Sequence, residues 1–423
     1  MLWRARSSSA AQYGGNPVGR TVVTFVKSMV GSFVLYLPHL FAEGGMMFSA
    51  VTLVLMAVFS TYNMLLLLRV REKLLCSGAA AYSYGEVGRA ALGRAGWAGV
   101  DVSLFLSQLG YCITYLIFVS QNLGPTIRPV LSSDYSWLAS TVVLVLLQAC
   151  VQVPLAWVRR LKYLGAGMLM ANICVVGGLS LILVEIGKKL GEDGVAGGGT
   201  GGVVLINRSK CLIVLGSVVG CFEGTGLVIP IQDAMELKDR DRLPAALCWS
   251  MVGITAFLMA FGAGGYLAYG SHVSPFITVD LDDGSIVVTI VRIVYSLGLI
   301  LTSPLQLFPA VKVMERLFWP ASPMAASKTI PDRRRKWLKN LLRAGVVGFT
   351  VLVALVAGSR FDSFVGIVGG VCAVPLALVY PVWFHVKLFG KLDEPWQRAT
   401  HFFMLAIGVF AGVASTVVAI LAL

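Results

Sequence analysis

Gly220-Cys221-Phe222-Glu223-Gly224-Thr225-Gly226 places one carboxylate among three glycines, inside an apolar segment long enough to cross a bilayer. An acid at bilayer depth costs about 2.5–3.5 kcal/mol on insertion scales, so Glu223 is expected to face protein or a water-filled cavity rather than lipid. Glycines beside the charge loosen the helix there. Non-helical backbone at that depth persists only where protein buries it or where it lines a cavity, and broken helices of this kind build the midplane sites of secondary transporters. The stretch therefore predicts a membrane helix interrupted at a functional site, with transport as the first functional class.

The chain around it fits that class. Of 423 residues, 57% are hydrophobic and 13% charged, against roughly 25% charged in a soluble domain. About 20 mainly apolar residues cross a bilayer as a helix, and eleven such runs follow one another. They lie near Thr21 to Phe41, Met46 to Leu68, Gly96 to Leu123, Trp137 to Trp157, Tyr163 to Ile186 and Lys210 to Ile231. The others lie near Ala245 to Tyr269, Ser285 to Val311, Leu341 to Ala357, Phe361 to His385 and His401 to Leu423. The expected fold is thus an all-α polytopic membrane protein of eleven transmembrane helices. Residues 1–20 would form a cytoplasmic tail and 21–423 a single transmembrane domain.

Charge placement supports that parity, because Lys and Arg collect on the cytoplasmic side of a membrane protein. With the N-terminus inside, only Arg128, Lys188, Lys189, Arg208, Lys210, Arg292 and Arg360 of the 34 basic residues fall outside. Orientation accounts for the net charge of +13, and with no separate basic domain nucleic-acid binding is not expected. The first twenty residues lack the short apolar core and cleavage site of a signal peptide. Seven of the eight cysteines fall within helices and Cys76 in an inner loop, which leaves no outer-loop disulfide.

The loops add little chemistry. The inner connection from Lys312 to Arg343 carries Arg333-Arg334-Arg335-Lys336, a positive-inside anchor or a lipid-headgroup contact. The glycine-rich Gly191 to Gly202 reads as a flexible linker, since no strand precedes it as in phosphate-binding loops. Asn207-Arg208-Ser209 is a glycosylation sequon at the outer mouth of the sixth helix.

The first helix is interrupted like the sixth: Gly31 is followed by Pro38, as Gly220, Gly224 and Gly226 are followed by Pro230. Five helices separate the two breaks. That spacing predicts a LeuT-type 5+5 inverted repeat plus one helix, with helices 1 and 6 broken.

Several motifs carry a family resemblance. They are Val30-Gly31-Ser32 with Leu35-Tyr36-Leu37-Pro38, then Ser107-Gln108-Leu109-Gly110-Tyr111-Cys112 with Tyr115-Leu116-Ile117-Phe118. Phe222-Glu223-Gly224-Thr225-Gly226 with Pro230 and Gly265-Tyr266-Leu267-Ala268-Tyr269-Gly270 complete the set. In this order the chain resembles the amino acid/auxin permease family, in particular its plant vacuolar amino acid transporter branch and the related proton-coupled amino acid transporters. The resemblance implies a secondary active transporter of free amino acids, proton-coupled, working by alternating access in a vacuolar or other endomembrane, or in the plasma membrane. Phe33 and Tyr36 stand where relatives carry small residues, which points to small neutral substrates. Thr24 stands where animal proton-coupled members carry a histidine, so coupling does not carry over through that position.

For a zwitterionic substrate, the amides of a half-helix N-terminus at Val30, Gly31, Ser32 and Phe33 are expected to receive the carboxylate. Carbonyls freed around Phe222, Glu223 and Thr225, beside Gly224, would accept from the ammonium, with Phe222 and Tyr115 closing over the side chain. The competing reading is that the glycines serve close helix packing and the aromatics are ordinary core. Glu223 is either the coupling group, a proton carrier, or a fixed partner that holds the break.

Sodium is the alternative ion, with Thr302 and Ser303 facing the first helix, unless those hydroxyls bond their own backbone. His39 is either titrating or satisfying a carbonyl. Lys27 reads as an inner anchor, Arg360 with Asp362 as an outer-loop pair, and Asp101 as a solvated inner-mouth acid.

No nucleophile elbow, zincin motif, phosphate loop, cofactor motif or metal-ligating cluster is present, so no enzyme, cofactor or metal is expected. A channel would need filter rings and subunit symmetry, whereas both breaks sit in one asymmetric chain that is expected to work as a monomer. An amino acid sensor on a transporter fold remains the third reading.

Overall fold

The computed structural model describes residues 17–31, 33–79, 81, 83–158, 165–192, 194–195, 203–208, 211–222, 224–282, 285–318, 332–390 and 395–422. Ser32, Glu223, Lys210 and the tail before Pro17 lie outside the described residues, as do Ser209 of the sequon and most of the glycine-rich linker.

The chain forms a helical bundle. Its first helices are α1 (Val18–Met29), α2 (Phe33–Gly44), α3 (Met46–Cys76), α4 (Tyr84–Ile127), α5 (Thr141–Ala156), α6 (Gly165–Glu192) and α7 (Cys211–Cys221). They are followed by α8 (Thr225–Ala234), α9 (Leu243–Tyr269), α10 (Ile286–Phe318), α11 (Asp332–Ala357), α12 (Phe361–Val368), α13 (Tyr380–Phe389) and α14 (Pro395–Leu421). Among the described residues, eight helical stretches are long and apolar enough to cross a membrane. The pair α1 and α2, bent by 53°, makes a ninth, and α5 is a shorter apolar helix.

Several helices run past their apolar segments for local reasons. α4 begins at Tyr84 because Ser83 caps it, its side chain accepting from the Glu86 amide at 3.3 Å in the Ser-x-x-Glu pattern of a capping box. At Gly93 the backbone turns to φ 67°, a conformation that costs a side-chain-bearing residue steric strain. The piece ahead of Gly93 is thus a short helix set at an angle to the span.

Between α12 and α13 the chain makes two π turns, Gly369–Ala373 and Pro375–Val379. Small residues explain the close approach there. A Cβ on Gly369 would run into the carbonyl of Gly216 on α7, and one on Gly370 into Thr416 and the Gly412 carbonyl on α14. Without a hydrophobic driving force between helices in lipid, such contacts supply much of the packing.

Alternate helix ends gather at the same end of the bundle. At one end, Arg71 of α3 reaches the Ala81 carbonyl at 3.0 Å and also Gln232 and Asp233 at the end of α8. Arg343 of α11 donates to the Ala156 and Val158 carbonyls at 2.8 and 3.2 Å and to Glu315 of α10 at 2.8 Å. Lys73 caps the Leu388 carbonyl at 3.0 Å.

Asp101, expected to be solvated, is instead buried and lies 3.4 Å from Arg316. Its partner sits far along the chain at the end of α10, where local sequence gives no hint of it. At the opposite end the connection ahead of α7 folds onto the α2–α3 corner. The Val204 carbonyl accepts from the Met46 amide at 2.9 Å, and the Gly44 carbonyl from Asn207 at 3.0 Å.

Replacing Gly369→Ala should force α7 and the π segment apart. We expect a loss of about 1–3 kcal/mol, read as a lower thermal unfolding midpoint of the purified protein, with Gly345→Ala, where a Cβ meets nothing, unchanged.

Candidate functional site

The two interruptions lie against each other. α1 closes with the Val30 amide bonded to the Val26 carbonyl at 3.1 Å, after which Val30 turns extended (φ −88°, ψ 99°). α7 ends in a tight turn, with the Phe222 amide on the Val219 carbonyl at 3.0 Å and the Gly224 amide on the Phe222 carbonyl at 2.9 Å. The Leu227 amide then bonds the Gly224 carbonyl at 2.9 Å and α8 begins. Two helix C-termini and two helix N-termini thus converge, and the N-termini of α2 and α8 bring positive dipole ends and unpaired amides to one place.

Side chains from three other helices hold the breaks. Tyr295 of α10 donates to the Gly31 carbonyl at 3.1 Å, and Ser60 of α3 donates to the Phe222 carbonyl at 3.3 Å. Tyr115 of α4 stands over Gly31, whose added Cβ would lie 3.6 Å from its hydroxyl, and Gln306 donates to that hydroxyl at 3.5 Å. The ring of Phe33 lies 3.1 Å from where a Gly220 Cβ would sit and meets Tyr111 edge-on at 5.4 Å. Gly224 packs on Met29 and Phe25.

Of the sequence-predicted residues, Gly31, Phe33, Tyr115, Phe222, Gly224 and Thr225 are therefore brought to the two breaks. Val30 instead lines an apolar groove of about 480 Å³ between α1 and α9, with Val22, Val26, Trp249 and Phe257. Ser32 and Glu223 are not described. Phe222 and Thr225 are fully buried, and the Thr225 hydroxyl has no hydrogen-bond partner among the described residues.

Other expectations change in detail. The Phe222 carbonyl, expected to be open for an ammonium, is already engaged by Ser60 and by the Gly224 amide. Tyr36 meets Phe33 edge-on at 6.3 Å, and its hydroxyl donates to Asp362 of α12 at 2.7 Å. Asp362 also lies 3.3 Å from His39, a tertiary contact in place of the local Arg360 pairing that sequence suggests. Thr302 and Ser303 bond the Gly298 and Ile300 carbonyls of their own helix at 2.7 and 2.9 Å. Missed from sequence were Ser60, Tyr295 and the Arg71 clamp, because hydroxyls and an arginine in apolar runs signal nothing until the carbonyls they serve are in place.

Comparison with known proteins follows from this geometry. The profile of a family described as "Transmembrane amino acid transporter protein" matches residues 15–421. The chain is 30% identical over 394 residues to Vacuolar amino acid transporter 3 of Schizosaccharomyces pombe, covering 93% of this chain and 56% of that protein. It is also 30% identical over 425 residues to the amino acid transporter AVT3B of Arabidopsis thaliana, covering 98% of this chain and 96% of that one. The chain thus spans about half the length of the yeast relatives it matches. Among solved structures, MhsT in complex with L-phenylalanine superposes with a TM-score of 0.57 at 13% identity, over 96% of this chain and 100% of that one. That likeness supports the LeuT-type fold.

The Arg71 clamp yields a prediction. Arg71→Met should leave Gln232 unpaired in a buried setting and cost about 1–3 kcal/mol, measured as a drop in the thermal unfolding midpoint. Asp233→Asn should cost less, because the Asp233 side chain is 40% exposed.

Proposed function

The chain belongs to the transmembrane amino acid transporter protein family, and on that premise we propose that it is a secondary active transporter of amino acids, proton-coupled and working by alternating access. The family is one of transporters, not of enzymes. The observation that carries the reading is the abutting pair of helix breaks, with Tyr295 and Ser60 bound to the carbonyls they release.

In this reading the chain crosses the membrane eleven times, as two inverted five-helix repeats with α14 appended, and the basic end is cytoplasmic. Residues 1–20 are the tail and 21–423 the transport domain, acting as a monomer in a vacuolar or related endomembrane. The substrate carboxylate sits at the N-terminus of α2, among Gly31, Ser32 and Phe33, since the Val30 amide, expected to share in it, is bonded to Val26 within α1. Its ammonium faces the C-terminal end of α7 and the residues Phe222, Gly224 and Thr225. Ser60 holds the Phe222 carbonyl in the structure, and a bound ammonium replaces that hydroxyl as donor. Tyr115 closes the site.

Phe33, wedged between Gly220 and Tyr111, limits side-chain volume and favours small neutral amino acids. Glu223 carries the proton. Sodium is the alternative ion: the Thr302 and Ser303 hydroxyls donate to their own helix and keep their lone pairs.

The test is counterflow of a panel of labelled amino acids in proteoliposomes, with and without an imposed pH gradient. Small neutral substrates should exchange and accumulate on the gradient. Binding without exchange would mean a sensor, and accumulation that follows sodium alone would refute proton coupling. Glu223→Gln should retain counterflow and lose gradient-driven accumulation. Phe33→Ala should weaken the preference for small over large side chains about tenfold, the order expected for one filled apolar subsite.

A further inference from the structure

At the end of the bundle away from the basic cluster, a histidine in an apolar helix is bound on both sides of its ring. His39 Nδ1 lies 2.7 Å from the Val273 carbonyl, which can only accept, so Nδ1 carries a hydrogen. His39 Nε2 faces Asp362 Oδ2 at 3.3 Å and Glu43 Oε1 at 3.9 Å. With Nδ1 protonated, a neutral ring would turn a bare lone pair toward two carboxyl groups. The contact is attractive only when one more proton sits between Nε2 and Asp362. Tyr36 donates to the other oxygen, Asp362 Oδ1, at 2.7 Å.

We propose that His39, Asp362 and Tyr36 form a second proton-binding site of this carrier, distinct from Glu223, in which one proton fastens α2 to the start of α12. This rests on the proton-coupled reading above.

The placement gives the site both access and a reason to respond. The His39 side chain is 11% exposed, whereas that of Asp362 is 35% exposed, so the proton enters through Asp362. Phe361 packs edge-on against Tyr36 at 5.3 Å and meets Phe276 at 4.8 Å. These rings shield the cluster from water on one side and strengthen its hydrogen bonds.

The other ionisable groups around it are few. Glu43 lies on the same helix, Cys221 on α7, and Asp280 and exposed His272 in the connection after α9. Tyr266 of α9 is buried and occupied by the Val204 amide. Burial pushes the Asp280 carboxyl above the usual carboxylate range, against two hydrogen bonds from Ser274 at 2.6 Å. Behind Asp280, Arg292 is tied to the Thr278, Val279 and Leu281 carbonyls. Arg360 precedes Asp362 by two residues and is exposed.

The proton spans α2, the second half of the first broken helix, and α12. It is therefore bound where these two meet and released to Asp362 and water where they part, so that its occupancy biases closure of this end.

Because the chain holds four histidines, ¹⁵N-histidine-labelled protein in nanodiscs resolves the site directly. The signal missing in His39→Gln should show both ring nitrogens protonated over part of the range between about pH 5 and 8. In Asp362→Asn its titration midpoint should fall by about one unit or more, since the carboxylate that favours the charged ring is gone. If His39→Gln does not fold, the signal displaced in Asp362→Asn and Tyr36→Phe makes the assignment. A ring that stays singly protonated throughout, or one that Asp362→Asn leaves unmoved, overturns the proposal.

Counterflow against pH on that side gives the functional arm. The wild-type rate should vary across the imidazole range and the His39→Gln rate should be flat, and superimposable profiles overturn the proposal. A wild type that ignores an imposed pH gradient defeats proton coupling instead. A coupled wild type with an invariant His39 signal defeats this site alone.

Discussion

Inside a bilayer no water is at hand for a backbone carbonyl that a helix has released, so each one must find a donor within the protein. The breaks in the first and sixth helices release such carbonyls at Gly31 and Phe222, and two hydroxyls take them. Tyr295 reaches in from α10 and Ser60 from α3. These bonds fix which helices can surround the breaks. α10 must stand beside α1 and α2, and α3 beside the α7–α8 turn, while Tyr115 and Gln306 close the gap over Gly31. The glycines serve the same end: at Gly220 and Gly224 the absence of a side chain lets Phe33, Met29 and Phe25 come close. Close packing at these glycines is what brings the helix termini together.

The two ends of the bundle are held by different chemistry. At the basic end three arginines, Arg71, Arg316 and Arg343, join helix termini by satisfying carbonyls and carboxylates. Arginine suits that task because its planar fork serves several acceptors at once and stays charged. At the other end the tie between α2 and α12 runs through His39, Asp362 and Tyr36. A histidine–carboxyl contact depends on a proton whereas an arginine clamp does not, so the two ties respond differently to pH.

Much of the fold was legible in advance, and for definable reasons. Apolar runs at bilayer length and glycines inside them are properties of single segments, and they are what made a polytopic helical bundle with interrupted helices readable. The site was legible only in outline. Gly31, Phe33, Tyr115, Phe222, Gly224 and Thr225 do gather at the breaks, yet the direction of each side chain was not encoded locally. Tyr36, three residues after Phe33, touches that ring yet sends its hydroxyl to Asp362. Asp101 looked like a solvated acid because nothing near it in the chain is its partner, and Arg316 reaches it only across the bundle.

The sequence by itself determined that this is a membrane bundle and where its first and sixth helices break. It does so because hydrophobic length and backbone freedom are written residue by residue. Tertiary structure alone decided which donors serve the released carbonyls, that Val30 faces a groove on α9, and that Asp362 belongs to His39 and Tyr36 instead of Arg360. Those outcomes depend on hydrogen bonds between segments up to hundreds of residues apart, where distance in the chain carries no information about distance in space.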